Sequence, residues 1–377
     1  MYYVEAMKIS AFQAIYPKTD LVTSPESFFG SMKYQFKEFF NSGFFDKSSQ
    51  DALYLYKIEN ISESTIYTGL LCFTALQDLR DNKILKHEKT LAAKEQQMMR
   101  LILQRDAHIK PVLLAYPDVD SLNEYINAHI ENNQHAFALS FENKTEIHKI
   151  WKVSDGDRIN DIQQLFKNHV DKSYIADGHH RCSTTEILHN SKELENASLK
   201  FGKIFTVYFP LSQLKIWDYN RVVEVFNNMD IAKFLVLLSK YCKIKPLKTG
   251  RKPKSKFEIT MHLSYGWFSL KWKKNMLKQY DKQAVLLDCQ LFNKYILNEI
   301  IKVENVREDQ RISYFSGKDG IKILEEQVRK QARKVAFCIY PVLKEELIKT
   351  ADALETLPPK STFFEPRMKN GIIASEF

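Results

Sequence analysis

The chain has 377 residues, of which 44% are hydrophobic and 27% charged, which suits a globular protein with a large core in two or three domains. No apolar run reaches the roughly 18 residues that a membrane helix needs, and the first residues lack a basic stretch followed by an apolar one, so neither a membrane span nor a signal peptide is expected. The formal net charge of +9 favours anionic partners such as phosphates, nucleotides or nucleic acid.

In chain order, Tyr3 to Tyr16 reads as a strand that closes at Pro17. A helix follows from Ser24, its N-cap, with Pro25 at the first helical position, to about Phe40. Its phenylalanines recur at helical spacing and read as core. Ala52–Ile58 and Thr65–Thr74 read as paired strands, Leu53 and Leu55 alternating with Tyr54 and Tyr56. Lys86-His87-Glu88-Lys89-Thr90 then precedes a helical pattern from Leu91 to about His108. Pro111–Tyr116 is a strand and Ser121–Asn132 a helix. Ala136–Glu142 and Thr145–Ser154 form a hairpin turning at Asn143-Lys144, and Arg158 to Val170 is a helix. Strands alternating with helices of this length indicate a mixed α/β, or α+β, fold.

The segment Tyr174-Ile175-Ala176-Asp177-Gly178-His179-His180-Arg181 is the candidate site. An apolar strand breaks at Asp-Gly and runs into a helix, and the first turn of a helix offers free N–H groups and partial positive charge to an anion. Arg181 adds a fork that fits phosphate oxygens. Gly178 lets backbone approach a phosphate, and His179 and His180 donate, accept or ligate a metal. Asp177 is the candidate Mg²⁺ ligand through its oxygens. Glu88 is a candidate general base and His87 a second one or a metal ligand; the alternative is that Glu88 complements a helix dipole.

Lys203–Phe209 is a further strand, followed by Trp217-Asp218-Tyr219-Asn220-Arg221, where Asn220 and Arg221 either reach a ligand or cap a helix and pair with a carboxylate. The basic residues of 243–256 read as a charged loop between a helix, Ile231–Tyr241, and a hairpin, Glu258–Leu263 with Trp267–Trp272. That loop is either a solvated surface or a nucleic-acid patch, although it lacks the aromatic interleaving of a stacking platform. Leu286–Ile301 and Ile321–Arg333 read as helices, Val335–Pro341 as a buried strand and Leu343–Ala353 as a last helix. Lys360, Ser361 and Thr362 follow two prolines that restrict their backbone, and form either a phosphate-binding group or a clamp for the tail. The boundary between an N-terminal domain, 1–218, and a C-terminal α+β domain, 219–377, is placed after Trp217-Asp218. The five cysteines are odd in number, widely spaced and without Cys-x-x-Cys, so a reducing, cytoplasmic setting is expected rather than a disulfide framework or a structural zinc site.

Lys86–Thr90, Tyr174–Arg181, Asp218–Arg221, Arg311–Gly317 and Pro358–Pro366, in this order, resemble the motifs of a bacterial and archaeal family known as domain of unknown function 1015. The resemblance implies the fold more than a chemistry; members of that family often lie beside serine-biosynthesis genes. The turn itself is similar to the Gly-x-x-Arg loop by which the ParB/sulfiredoxin-like superfamily holds nucleotide phosphates. Sulfiredoxins carry a catalytic cysteine where this chain has His179, so sulfinic-acid reduction is not implied. The expectation is an enzyme that binds a nucleotide or a small phosphorylated metabolite and performs phosphoryl transfer or hydrolysis, linked through that resemblance to serine metabolism. Gly178, His179, Arg181, Lys360, Ser361 and Thr362 would bind phosphate, and Glu88, His87 and His180 would carry the chemistry. The alternatives are a nucleotide-dependent nucleic-acid-binding protein of ParB type and a non-catalytic metabolite sensor.

Overall fold

The computed structural model describes residues 6–142, 144–227 and 229–377. The chain forms two units. The first runs up to Leu214 and resumes over Pro366–Phe377, and the second comprises Lys215–Glu365.

The first unit is built on a nine-stranded mixed sheet. Its main path runs Ile84–Leu85, Ser173–Asp177, Val112–Tyr116, Lys203–Pro210, Thr65–Ala75, Leu53–Asn60, Glu146–Val153 and Phe137–Phe141, with Ile9–Ser10 added against Thr65–Ala75. Ser173–Asp177 lies parallel to Ile84–Leu85, and Lys203–Pro210 lies parallel to Val112–Tyr116. The remaining ladders are antiparallel, which makes the fold mixed α+β. Leu53, Tyr54, Leu55 and Tyr56 are all buried, because both faces of the sheet are covered. On one face Leu53, Leu55, Leu70 and Cys72 share a core with Ile126 and with Ile162 and Phe166 of the Gly156–His169 helix. On the other, Phe12 meets the rings of Tyr54, Phe73 and Phe205 at 5.1, 5.4 and 5.3 Å. Each such apolar side chain contributes about 1.5–3 kcal/mol on burial.

The second unit contains a six-stranded antiparallel sheet in the order Cys242–Leu247, Gly266–Trp272, Glu258–Leu263, Lys334–Ile339, Tyr219–Glu224, Ile312–Ser316. The helix Lys322–Lys330 lays Leu324 and Val328 on Val222, Ala336 and Cys338.

Several elements differ from the expectation. The described part of the first strand is two short pieces. Ile9–Ser10 pairs with Thr65–Ala75 and Ile15–Pro17 with Phe45–Lys47, so the chain changes partner between them; residues Tyr3–Glu5 lie outside the described residues, as does Asn143 of the hairpin turn. The helix expected to reach His108 spans Ala92–Arg105 and stops at Asp106, whose φ of 54° is left-handed. His108 instead lies in a strand, Ala107–His108, paired with Ser375–Glu376. The basic loop begins as an edge strand, Cys242–Leu247, where Pro246 is tolerated. The Leu286–Ile301 helix opens as α over Asp288–Leu291 and widens to π geometry over Phe292–Ile300. Asn220 and Arg221 cap no helix; they are buried in the strand Tyr219–Glu224.

Gly69 lies in the Thr65–Ala75 strand, where a Cβ would fall 2.7 Å from the Tyr208 carbonyl oxygen and 2.8 Å from the Phe209 ring. Gly69→Ala should therefore cost about 1–3 kcal/mol and lower the urea midpoint at unchanged slope. An unchanged midpoint would show that the neighbouring strand gives way freely.

Candidate functional site

The strand Ser173–Asp177 is buried until its last residue, and its pairing with Val112–Tyr116 slips between Ile175 and Asp177. Such a bulge re-aims the side chain that follows it. Gly178 comes next with φ +110° and ψ 26°, and the helix His179–His189 starts directly after it. The dihedral in the left-handed region favours glycine there, and a Cβ, 2.7 Å from Nη2 and 2.8 Å from Nε of Arg181, would displace the guanidinium. The guanidinium is folded back across the glycine, and Nη2 donates to Asp177 Oδ2 at 2.8 Å.

Lys110, just before the Val112–Tyr116 strand, places Nζ 3.6 Å from the same Asp177 oxygen. Burial alone would raise the Asp177 acid; Arg181 and Lys110 outweigh it and hold the group far below the usual carboxylate range. Burial lowers Lys110 to about 8, against the pull of Asp177. Arg181 Nε is buried and has no hydrogen-bond partner among the described residues.

His179 is 7% exposed. Its Nε2 accepts the main-chain N–H of His87 at 3.2 Å, and the two rings meet edge to face at 4.4 Å. Burial pushes both imidazoles down, His87 to about 3 and His179 well below its ordinary value. Both are therefore neutral at pH 7, and this bond ties the Lys86–Thr90 bend to the first turn of the His179–His189 helix. His180 and Glu88 are half-buried. The Ser183 hydroxyl donates to Glu95 of the Ala92–Arg105 helix, and that bond, helped by one from Thr90 and by the charges of His180 and Lys86, lowers the Glu95 acid. Lys86 pairs with Glu186 at 3.8 Å.

Lys360, Ser361 and Thr362 belong to the second unit. Ser361 Oγ donates to the Pro358 carbonyl, and the Lys360 carbonyl accepts from Arg221 Nη2 at 3.1 Å. Three cations of the basic loop have carboxylate partners within the second unit. Arg251 binds Glu258 at 2.6 Å, Lys252 lies 3.4 Å from Asp218, and Lys256 pairs with Glu346. No cluster of three or more His, Cys, Asp or Glu able to hold a metal occurs among the described residues. Asp177 Oδ2 faces two cations, so it does not fit a protein-only Mg²⁺ site.

Sequence reasoning passed over Lys110, Arg105 and His108. The clue was available in Arg105-Asp106-Ala107-His108-Ile109-Lys110-Pro111, which places three basic residues immediately before a strand that ends beside the candidate turn. Together with Lys33 and Arg181, these three line a cavity of about 80 Å³.

Residues 2–290 match the family model described as "Protein of unknown function (DUF1015)". The chain belongs to this family. No curated relative matches it. Among solved structures it is similar to SbnI with C-terminal truncation from Staphylococcus aureus, at 13% identity, covering 80% of this chain and 85% of that one with a TM-score of 0.42. It is also similar to a free serine kinase in complex with AMP, at 12% identity, 80% and 92% coverage and a TM-score of 0.39. A conserved hypothetical protein from Pyrococcus furiosus is similar at 13% identity, 80% and 94% coverage and a TM-score of 0.39. In this DUF1015 chain no helix among the described residues is long and apolar enough to cross a membrane.

Three of the imidazoles whose pKa burial depresses, His87, His108 and His179, lie at or beside the candidate site and take up a proton on unfolding. Their contribution to stability is complete above the ordinary histidine pKa of about 6.5 and is lost as pH falls below it, at about 1.4 kcal/mol per pH unit for each ring. His87→Gln should remove one ring's share of the slope of unfolding free energy against pH between about pH 6 and 4. A slope identical to that of the parent would mean that His87 titrates freely in the folded protein.

Proposed function

We propose that the Asp177–Arg181 corner, with Lys110, binds the phosphate of a nucleotide or small phosphorylated metabolite, and that the protein is an enzyme performing phosphoryl transfer or hydrolysis on it. The observation that carries this reading is the half-buried Arg181 guanidinium, anchored by Nη2 to Asp177 and carrying a buried Nε with no partner among the described residues at a helix N-terminus. An anchored guanidinium is oriented before the ligand arrives, so little reorganisation is needed when charge develops on a transferring phosphoryl group. Lys110 supplies a second cation. Glu88 activates the attacking hydroxyl or water, and His180 neutralises charge on the transferring group. His87 and His179 position the Lys86–Thr90 bend against the corner. If Mg²⁺ takes part, it arrives with the phosphates, since Asp177 is committed to Arg181 and Lys110. Serine and phosphoserine belong among the acceptors and products to be tested. The nucleic-acid alternative is disfavoured by the pairing of Arg251, Lys252 and Lys256.

Calorimetry with ADP, ATP, CTP and phosphoserine, with and without Mg²⁺, tests the proposal. Arg181→Ala should weaken binding roughly 10- to 100-fold, as expected for loss of a hydrogen bond from a charged donor. Absence of binding to all four ligands, or equal affinity in the variant, removes the reading. Binding without turnover over hours would leave a metabolite sensor in place of an enzyme.

A further inference from the structure

Arg105 closes the Ala92–Arg105 helix and is 8% exposed. Its Nε donates to the Leu101 carbonyl at 2.5 Å, and among the described residues no carboxylate pairs with it. A guanidinium taken out of water without a counter-ion carries a penalty of several kcal/mol. Arg181 adds to that penalty by repulsion; after burial, it is the second cause lowering Arg105 to about 10. The carboxylate paired with Arg181 and Lys110 is Asp177. Arg105, Lys110 and Arg181 thus contribute three positive charges against the one negative charge of Asp177.

These side chains line the cavity of about 80 Å³, and no Asp or Glu lines it. Two polar atoms of its lining residues, His108 Nε2 and Arg181 Nε, are buried and have no partner among the described residues. The rest of the wall is largely apolar, with Met98, Leu101, Ile102 and Phe205. The volume admits on the order of five water-sized atoms. We propose that this cavity is a binding site for a short-chain organic anion, which sets its carboxylate or phosphate between Arg105 and Arg181 and its carbon skeleton against the apolar wall. Arg–carboxylate and Arg–phosphate pairs are bidentate and strong, and the apolar wall distinguishes this ligand from an inorganic ion, which would leave Met98 and Phe205 facing an empty or wet space. The site shares Arg181 and Lys110 with the phosphate corner and differs from it in Arg105, His108 and the apolar wall.

Calorimetry and thermal-shift measurements on the full chain test this with butyrate, isovalerate, butyl phosphate and inorganic phosphate. Butyrate and isovalerate against butyl phosphate identify the head group, and inorganic phosphate reads the head group without a carbon skeleton. At least one organic anion should bind and raise the melting temperature, and Arg105→Met should weaken it at least tenfold, a larger loss than it causes for ADP. Without ligand, Arg105→Met should melt at the same temperature as the parent or higher, because it removes an uncompensated buried charge; an arginine that merely secures the Leu101 carbonyl would make the variant melt lower. Arg105→Lys keeps the charge and loses the fork, so it should bind several-fold more weakly, and it serves if the methionine variant does not fold. The proposal is overturned if no organic anion binds, if binding is equal in both Arg105 variants, or if only inorganic phosphate binds and does so independently of Arg105.

Discussion

One ion pair organises the first unit's candidate site, and it closes over a single glycine. Asp177 ends a buried strand, Arg181 sits four residues on in the first turn of a helix, and the guanidinium returns across Gly178 to meet the carboxylate. A side chain at position 178 would push that guanidinium aside and would strain the left-handed backbone. The pair also fixes where the remaining charge falls. Because Asp177 is shared between Arg181 and Lys110, one carboxylate cannot neutralise the cations on the cavity side, and the excess is positive. The chemistry read from this region, anion binding, follows from that imbalance more than from any one residue.

The histidines divide the work. His179 and His87 are joined by a main-chain N–H and are held neutral by burial. Their task is to fasten the Lys86–Thr90 bend to the helix that carries Arg181. His180, the neighbouring ring, is half-buried and acts electrostatically on Glu95. Two adjacent identical residues thus occupy different environments, as successive positions on a helix point about 100° apart.

The strand, glycine and helix at 174–188 could be read directly, because apolar β-type residues, an Asp-Gly break and a helical pattern follow one another within fifteen residues. Arg181 could be read as an anion fork for the same local reason. Lys110, the second cation on Asp177, could not. That contact exists because Ser173–Asp177 pairs with Val112–Tyr116, a ladder between segments about sixty residues apart that no local pattern specifies. His108 was assigned to a helix because the helical composition continues past Arg105; the chain stops instead at a left-handed aspartate, a position at which composition carries little signal. The basic stretch after Tyr241 was legible only in part. Its charge is evident in sequence, but the distant carboxylates Glu258, Asp218 and Glu346 that meet Arg251, Lys252 and Lys256 are not. The Pro-Pro-Lys-Ser-Thr segment likewise has its described bonds within the second unit, to Arg221 and through Ser361.

The second unit interrupts the first in the chain, and Pro366–Phe377 completes what the residues before Lys215 began. Ser375–Glu376 forms the ladder with Ala107–His108, the Gly371 N–H donates to Ile109 at 2.7 Å, and Asn370 lines the cavity. During translation this wall therefore has to wait until all of the inserted residues have left the ribosome. The inserted body can mature first, while the pocket-bearing body spends that interval with an open seam beside His108.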